Sequence, residues 1–230
     1  MLLSRVCHRV MLTAVLLLIS SALSAAPKQL IVKYDLLQQG VTIGSVKDQL
    51  TVTGNKYQIE SLAEGKGIYK LMGERTLSSQ GDLVENALRP SHFESRQSKH
   101  ADKALISDFD WSKKVLKMQV KGEQRTEKLT KGTQDLLSIM YYWMWQSPKG
   151  KQVKLSVTNG KKLTPHTFVI TEEKTPLQTE AGTFNVIKLA DSDGEKTLYL
   201  AKDQGYLPVK LEVIDDGKRM EQVITSVTGQ

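Results

Sequence analysis

The residues with most chemistry to offer sit in one tetrapeptide, Asp108-Phe109-Asp110-Trp111. Side chains alternate on a strand, so Asp108 and Asp110 share one side and the two aromatics the other. Adjacent carboxylates can serve acid–base chemistry or bind calcium. They also mark a solvent-facing strand whose Phe109 and Trp111 pack inward, and the alternation favours this reading. Hydrolysis of an envelope glycan or lipid would draw on Asp108, Asp110 or Asp135, but glycan hydrolysis needs two carboxylates facing each other across a cleft. The histidines beyond the N-terminal segment are His92, His100 and His166. His92 and His100 are eight residues apart, and no H-x-H or H-x-x-x-H pair exists, which argues against zinc. His166 alternates with Phe168 and Ile170 and reads as structural. There is no G-x-S-x-G elbow, no phosphate loop of the G-x-x-x-x-G-K-[ST] type and no G-x-G-x-x-G turn. The chemistry therefore predicts a protein that is not an enzyme, with no catalytic residue, cofactor or metal.

The first 26 residues read as a cleavable secretory signal: Arg5 and Arg9, an apolar run from Met11 to Ile19, then small residues from Ser20 to Ala26. The apolar core is about ten residues, half of what a bilayer span requires. Pro27 disfavours a cut after Ala26, so cleavage after Ser24 or Ala25 stays open. The single cysteine, Cys7, falls inside this signal, so the mature chain has neither disulfide nor cysteine-bound metal. The expected location is the periplasm, with no transmembrane segment once the signal is gone. Residues 27–230 are expected to form a single β-rich domain. Their formal charge is +5, the chain's +7 less Arg5 and Arg9. Basic residues concentrate between Arg96 and Lys131, ten against five acids, and between Gln146 and Lys174, six against two. If these share a face, it would attract lipid headgroups or other anions of the envelope. An exported chain without interleaved glycines and aromatics in its basic stretches is not expected to bind nucleic acid. The expected partners are a lipid, a lipoprotein or another envelope component, and oligomeric state is open.

Period-two alternation runs through the chain. Leu30, Val32, Tyr34 and Leu36 share a side, as do Tyr57, Ile59, Ser61 and Ala63; Leu116, Met118 and Val120; and Val209, Leu211 and Val213. Turn signals separate the runs at Gly54-Asn55, Gly65-Lys66-Gly67, Gln80-Gly81-Asp82, Lys121-Gly122, Asn159-Gly160, Asp193-Gly194 and Asp216-Gly217. Pro90 and Pro208 suit strand starts, where a missing N–H costs least. The expected architecture is mainly β: a curved antiparallel meander of roughly a dozen strands forming an open or half barrel.

One stretch breaks the pattern. GTQDLLSIMYYWMWQS, residues 132–147, reads as a helix over about 133–146, with Thr133 as N-cap, Asp135 in the first turn and Pro148 and Gly150 beyond its end. Leu136, Met140, Trp143 and Met144 form an apolar stripe that Leu137 and Tyr141 widen. Such a stripe must be covered, and the concave face of the sheet is the natural place. The helix is then a core filler, or a gate over an apolar or amphiphilic ligand that Leu136, Met140, Tyr141, Trp143 and Met144 would contact.

The order of these pieces resembles the exported proteobacterial family catalogued as domain of unknown function 3108. The residues that carry the likeness are Tyr34 followed by Gly40 and Gly44, and Tyr57 before GKGIYKLMG. Next come Gly81 with LRPSHFESR, then DFDW, then Gly132, Asp135, Leu137 and Ser138 with Tyr141 and Tyr142. TEAGTFNVIKL and LYLAKDQGYLPVKLEV complete it, so the likeness covers nearly all of the mature chain. It implies a curved antiparallel sheet with a helix in or across it, similar in outline to periplasmic lipoprotein-carrier half-barrels. It implies no activity.

Overall fold

The computed structural model of the protein describes residues 28–229, and the expected signal at residues 1–26 lies outside the described residues. Eight strands follow one another as an antiparallel meander: β1 (Lys28–Gln38), β2 (Val41–Thr53), β3 (Lys56–Gly65), β4 (Arg75–Val84), β5 (Ala87–Gln97), β6 (Leu105–Asp110), β7 (Val115–Val120) and β8 (Glu123–Lys128). A two-residue β9 (Gln134–Asp135) and a short helix, α1 (Ser138–Tyr142), come next. The remainder is β10 (Gln152–Thr158), β11 (Leu163–Glu172), β12 (Leu177–Thr179), β13 (Gly182–Phe184), β14 (Val186–Asp191), β15 (Lys196–Ala201), β16 (Leu207–Asp215) and β17 (Lys218–Gly229).

Fifteen strands make one sheet in the order β8-β7-β6-β5-β4-β3-β2-β1-β17-β16-β15-β14-β11-β10-β9, and β12 with β13 forms a separate hairpin. The first and last strands pair at the middle, and the two halves of the chain grow outward from them. All pairings are antiparallel except β9 with β10. The sheet is large, curved and open, as its alternation predicts. Its edges are β8 and β9, and among the described residues no ladder joins them. The curl still brings distant strands together: Thr158 Oγ1 of β10 lies 3.4 Å from Met118 Sδ of β7.

The inner face shows how the curl is accommodated. Across β3 to β7, Ile59, Ser79, Phe93, Ser107 and Met118 stand opposite one another in register; the next row is Ser61, Leu77, Ser95 and Leu105. Large and small side chains alternate along each row. An inward-curved wall leaves less room per side chain inside than outside, and alternation lets the large ones interdigitate. All four serines are buried.

Three sequence expectations need correction. Gln80-Gly81-Asp82 is not a turn. It lies inside β4, where a register shift at Gln80/Gly81 sets Gly81 opposite Pro90, and a Cβ on Gly81 would come within 2.2 Å of the Arg89 carbonyl oxygen. The real reversal is Glu85-Asn86, both residues at positive φ. Second, Pro90 is in the interior of β5 and not at its start. Both it and Pro208 sit beside register shifts, the second between Tyr199 and Leu200, because a residue without an N–H interrupts the ladder. Third, the helix expected over 133–146 is only Ser138–Tyr142. Gln134 and Asp135 are spent on β10, Thr133 Oγ1 donates to the Thr130 carbonyl, and beyond Tyr142 the backbone tightens into turns such as Met144 N to Tyr141 O. Among the described residues, no helix is long and apolar enough to cross a membrane.

The alternation makes a direct test. Ser95→Leu, which overfills the inner row, should lower unfolding free energy by roughly 1–3 kcal/mol in urea melts. Gln119→Leu, on an exposed outer position of β7, should change it by less than about 0.5 kcal/mol.

Candidate functional site: the plug and its buried carboxyls

Residues 129–150 form a plug that goes into the curled sheet and comes back out at the same end. On the way in, Leu129 N donates to the Lys114 carbonyl and Gln134 Nε2 to the Leu88 carbonyl. On the way out, Asn86 Nδ2 donates to the Trp145 carbonyl, and Gln146 Nε2 reaches the carbonyls of Glu85 and Asn86. The Glu85-Asn86 turn therefore clamps the outgoing limb.

Inside, the local sequence dictates the bend. Asp135 Oδ1 accepts from the backbone N–H groups of Leu137 and Ser138, while the Asp135 N–H donates to Ser138 Oγ. This reciprocal capping, three residues apart, starts α1 without Thr133. It also aims the Asp135 side chain inward, where Ser79 Oγ donates to Oδ2 at 2.6 Å and Tyr57 lies 3.2 Å from Ser79 Oγ.

Of the five expected contact residues, Met140, Tyr141 and Trp143 are buried and Met144 packs against the core. Leu136 does not join them: it is 37% exposed, because the turn that buries Asp135 and Leu137 points the residue between them outward. Trp143 meets Phe168 of β11 edge-on, with ring centroids 6.0 Å apart. Tyr141 Oη lies 2.8 Å from Asp48 Oδ2 on β2 and 3.3 Å from Tyr34 Oη on β1, and Tyr34 donates to the Pro208 carbonyl on β16. Four strands are thus tied to the plug through hydroxyls and carboxyls.

The two carboxyls differ in hydrogen-bond demand. Burial pushes Asp48 up to about 6, against the pull of the Ser61 and Tyr141 hydroxyls. A neutral Asp48 can donate to Tyr141, which donates to Tyr34, which donates to Pro208; one directed chain uses every proton. An ionised Asp48 accepts the hydrogen bond of the Tyr141 hydroxyl and, with Tyr34 donating to Pro208, leaves the 3.3 Å contact without a donor. Asp135 is also pushed to about 6 by burial, but its three donors, Ser79, Ser138 and Leu137, favour the ionised form. Three buried polar atoms here, Asp48 Oδ1, Gln134 Oε1 and Trp143 Nε1, make no hydrogen bond within the protein.

Asp48, Tyr34 and Ser79 were not singled out from sequence as site residues. A signal existed for Asp48, which falls in phase with Val46 and Leu50 on the buried side of β2. The carboxylates of the enzymatic alternative are separated. Asp108 is exposed, 2.7 Å from His92 Nδ1, and Asp110 accepts from Ser112 Oγ and the Lys113 N–H in the following turn. Asp135 lies inside. Phe109 is buried and Trp111 half-buried, its Nε1 donating to the Pro90 carbonyl, as the DFDW alternation predicts. His166 pairs with Asp191 and stacks on Phe168, a structural role.

The sequence model of a family described as a protein of unknown function (DUF3108) matches residues 31–223. Comparison with curated proteins returns no match. Among solved structures, the chain is similar to a crystal structure described as a β-barrel-like protein of domain of unknown function DUF1849 from Brucella abortus. The TM-score is 0.54 at 12% identity, covering 89% of this chain and 98% of that one, a likeness of fold.

Raised carboxyl pKa values make stability depend on pH in a known direction. The folded state holds protons that the unfolded state has lost above pH 4, so this stabilisation is full below about pH 4 and fades as pH rises through 6. Each carboxyl should make the protein about 1 kcal/mol more stable at pH 5 than at pH 7.5. Asp48→Asn keeps the donor chain to Tyr141, so at pH 7.5 it should be at least as stable as the parent and lose its share of the slope. At pH 5, where the Asp48 carboxyl is protonated, a loss above about 1 kcal/mol in Asp48→Asn would contradict a neutral-acid role.

Proposed function

The chain belongs to the DUF3108 family, and on that premise we propose that it is a non-enzymatic binding protein of the periplasm, holding an apolar or amphiphilic ligand between its curved sheet and a displaceable plug. The observation that carries this reading is how the plug is fastened. A filler meant only to complete a core would be held by apolar packing with its polar atoms satisfied or removed. This one is tied through Asp48, Tyr141, Asp135 and Ser79, leaves three polar atoms without partners, and enters and leaves by one end. Its withdrawal as a unit would break the two-residue β9–β10 ladder and leave the longer strand pairings of the sheet in place.

Withdrawal would open the inner wall at Leu88 and at Ile59 beside Ser79, all fully buried with the plug in place. Such a surface suits an acyl chain, and the unpartnered polar atoms suit an amphiphile's first polar group. Lys114 and Lys149 lie on the loops at the plug's mouth, where an anionic headgroup would sit, beside Lys113 and Lys131, which pair with Asp110 and Glu85.

A cross-link distinguishes gate from filler. The only native cysteine is Cys7, so Asn86→Cys with Gln146→Cys, in a Cys7→Ser background, places two thiols where the outgoing limb is clamped. Uptake of a fluorescent fatty-acid probe should fall at least tenfold when a short bis-maleimide bridges them and persist in the unbridged double variant. Equal uptake with and without the bridge, or no uptake in either, would make the plug a permanent core element.

A further inference from the structure

The connection between β3 and β4 leaves the body of the sheet as a two-turn 3₁₀ segment, Gly67–Met72, in which no residue is buried. Ile68 is 77% exposed, Leu71 75% and Met72 72%; Val41, on the adjoining β1–β2 turn, is 65% exposed. Four large apolar side chains gathered on one protruding tip are not the scattered surface residues that need no explanation.

The tip is built to stay where it is. Lys66 N donates to the Ile43 carbonyl, Tyr69 Oη to Gln38 Oε1, Lys99 Nζ to the Leu71 carbonyl, and Glu74 N to Ser98 Oγ. Gly65 is required beneath it, since a Cβ there would stand 2.3 Å from the Tyr69 carbonyl oxygen. The exposure of Ile68, Leu71 and Met72 is therefore held by the surrounding turns.

The surroundings carry the sign of the partner. Gly44 pairs with Gly65, Arg75 with Gln97, Leu105 with Val120 and Thr158 with Leu163, so the connections after β1, β3, β5, β7 and β10 lie at this end; Lys196 with Val213 and Asp215 with Lys218 bring those after β14 and β16 to it as well. Gly160 touches Leu105, which sets the β10–β11 turn beside the β5–β6 loop. Lys66, Lys70, Lys99, Lys103, Lys121, Lys161 and Lys162 occupy the connections after β3, β5, β7 and β10, against Glu74 and Asp102, while the turns after β14 and β16 carry Asp193, Glu195 and Asp216. Lys66 is neutralised by Asp35 from β1, and Arg96 by Glu94. The positive excess is therefore local: it lies beside the apolar tip in the connections after β3 and β5, continues through those after β7 and β10, and does not extend to the turns after β14 and β16. An exposed apolar tip flanked on one side by lysines is complementary to a bilayer with anionic headgroups, into whose interface the side chains insert while the ammonium groups meet phosphate. A peptide or a folded partner would call for a concave or flat face.

We propose that Val41, Ile68, Leu71 and Met72 form an interfacial anchor by which the protein docks on an anionic lipid bilayer. The anchor stands at the opposite end of the sheet from the mouth of the plug, so docking leaves that mouth facing away from the bilayer. It does not depend on the plug moving.

Sedimentation of the purified protein with vesicles tests it. Vesicles of three parts phosphatidylethanolamine to one part phosphatidylglycerol should bind the protein at least tenfold more tightly than phosphatidylcholine vesicles, and binding should weaken as salt rises. The triple variant Ile68→Ser, Leu71→Ser, Met72→Ser alters exposed side chains only and should retain the parent's melting temperature while losing at least tenfold in binding. Lys70→Glu with Lys103→Glu should lose the preference for phosphatidylglycerol. Absence of binding to the anionic vesicles, or binding that the triple variant retains, overturns the proposal. So does a concentration-dependent dimer that the triple variant abolishes without any vesicle binding, because the tip would then be covered by a second copy.

Discussion

A sheet that curls inward must fill its concave face, and in this protein the filling is done by a single stretch of chain held through two buried carboxyls. Asp135 bends that stretch by capping α1 and at the same time reaches Ser79 on the wall. Asp48 comes from the wall and reaches Tyr141 on the plug. The inner rows of alternating serine and large apolar residues follow from the same requirement. A wall of large residues alone would leave no room for the plug, and a wall of small ones would leave it unsupported. Burying carboxyls raises their pKa, and the fold tolerates this through donor chains that end on backbone carbonyls or run to neighbouring hydroxyls.

Much of the sheet can be read directly from residue types. Val32 and Tyr34, Tyr57 and Ile59, and Leu116 and Met118 alternate because one face of each strand is buried, and those residues are core in the structure. Family resemblance adds the presence of a helix in the sheet, and the 31–223 match and the β-barrel-like structural relative agree with the architecture. What periodicity misses is where a local bond overrides it. Helical spacing across 133–146 is real, yet Asp135 and Ser138 cap one another and Gln134 and Asp135 are drawn to β10, so only five residues complete the helix. Gly81 has the composition of a turn, but it serves close backbone approach opposite a proline.

The plug residues were legible as apolar and the polar half of their site was not. Met140, Tyr141 and Trp143 announce themselves by spacing; Asp48 and Tyr34 are 93 and 107 positions from their partner Tyr141, Ser79 is 56 from its partner Asp135, and no short-range pattern links them. Asp48 in phase with Val46 and Leu50 was the one local hint. Exposed apolar residues at 68, 71 and 72 give no warning either, since an apolar residue in a hairpin connection is as readily buried as displayed. Their exposure follows from the hydrogen bonds that hold the connection away from the sheet.

The central claim is that the plug is a separable unit, fixed in place by a few buried polar contacts in addition to the packing of Leu137, Met140, Tyr141 and Trp143. Hydrogen exchange followed by mass spectrometry at pH 7.5 tests it most directly, comparing peptides from 134–146 with peptides from β2, β3 and β4. The account predicts that the plug amides exchange through a partial opening, faster than those of the three strands, and slow towards the strand rate when Asn86→Cys and Gln146→Cys are bridged. Plug and strand amides exchanging together, only through global unfolding, would contradict it.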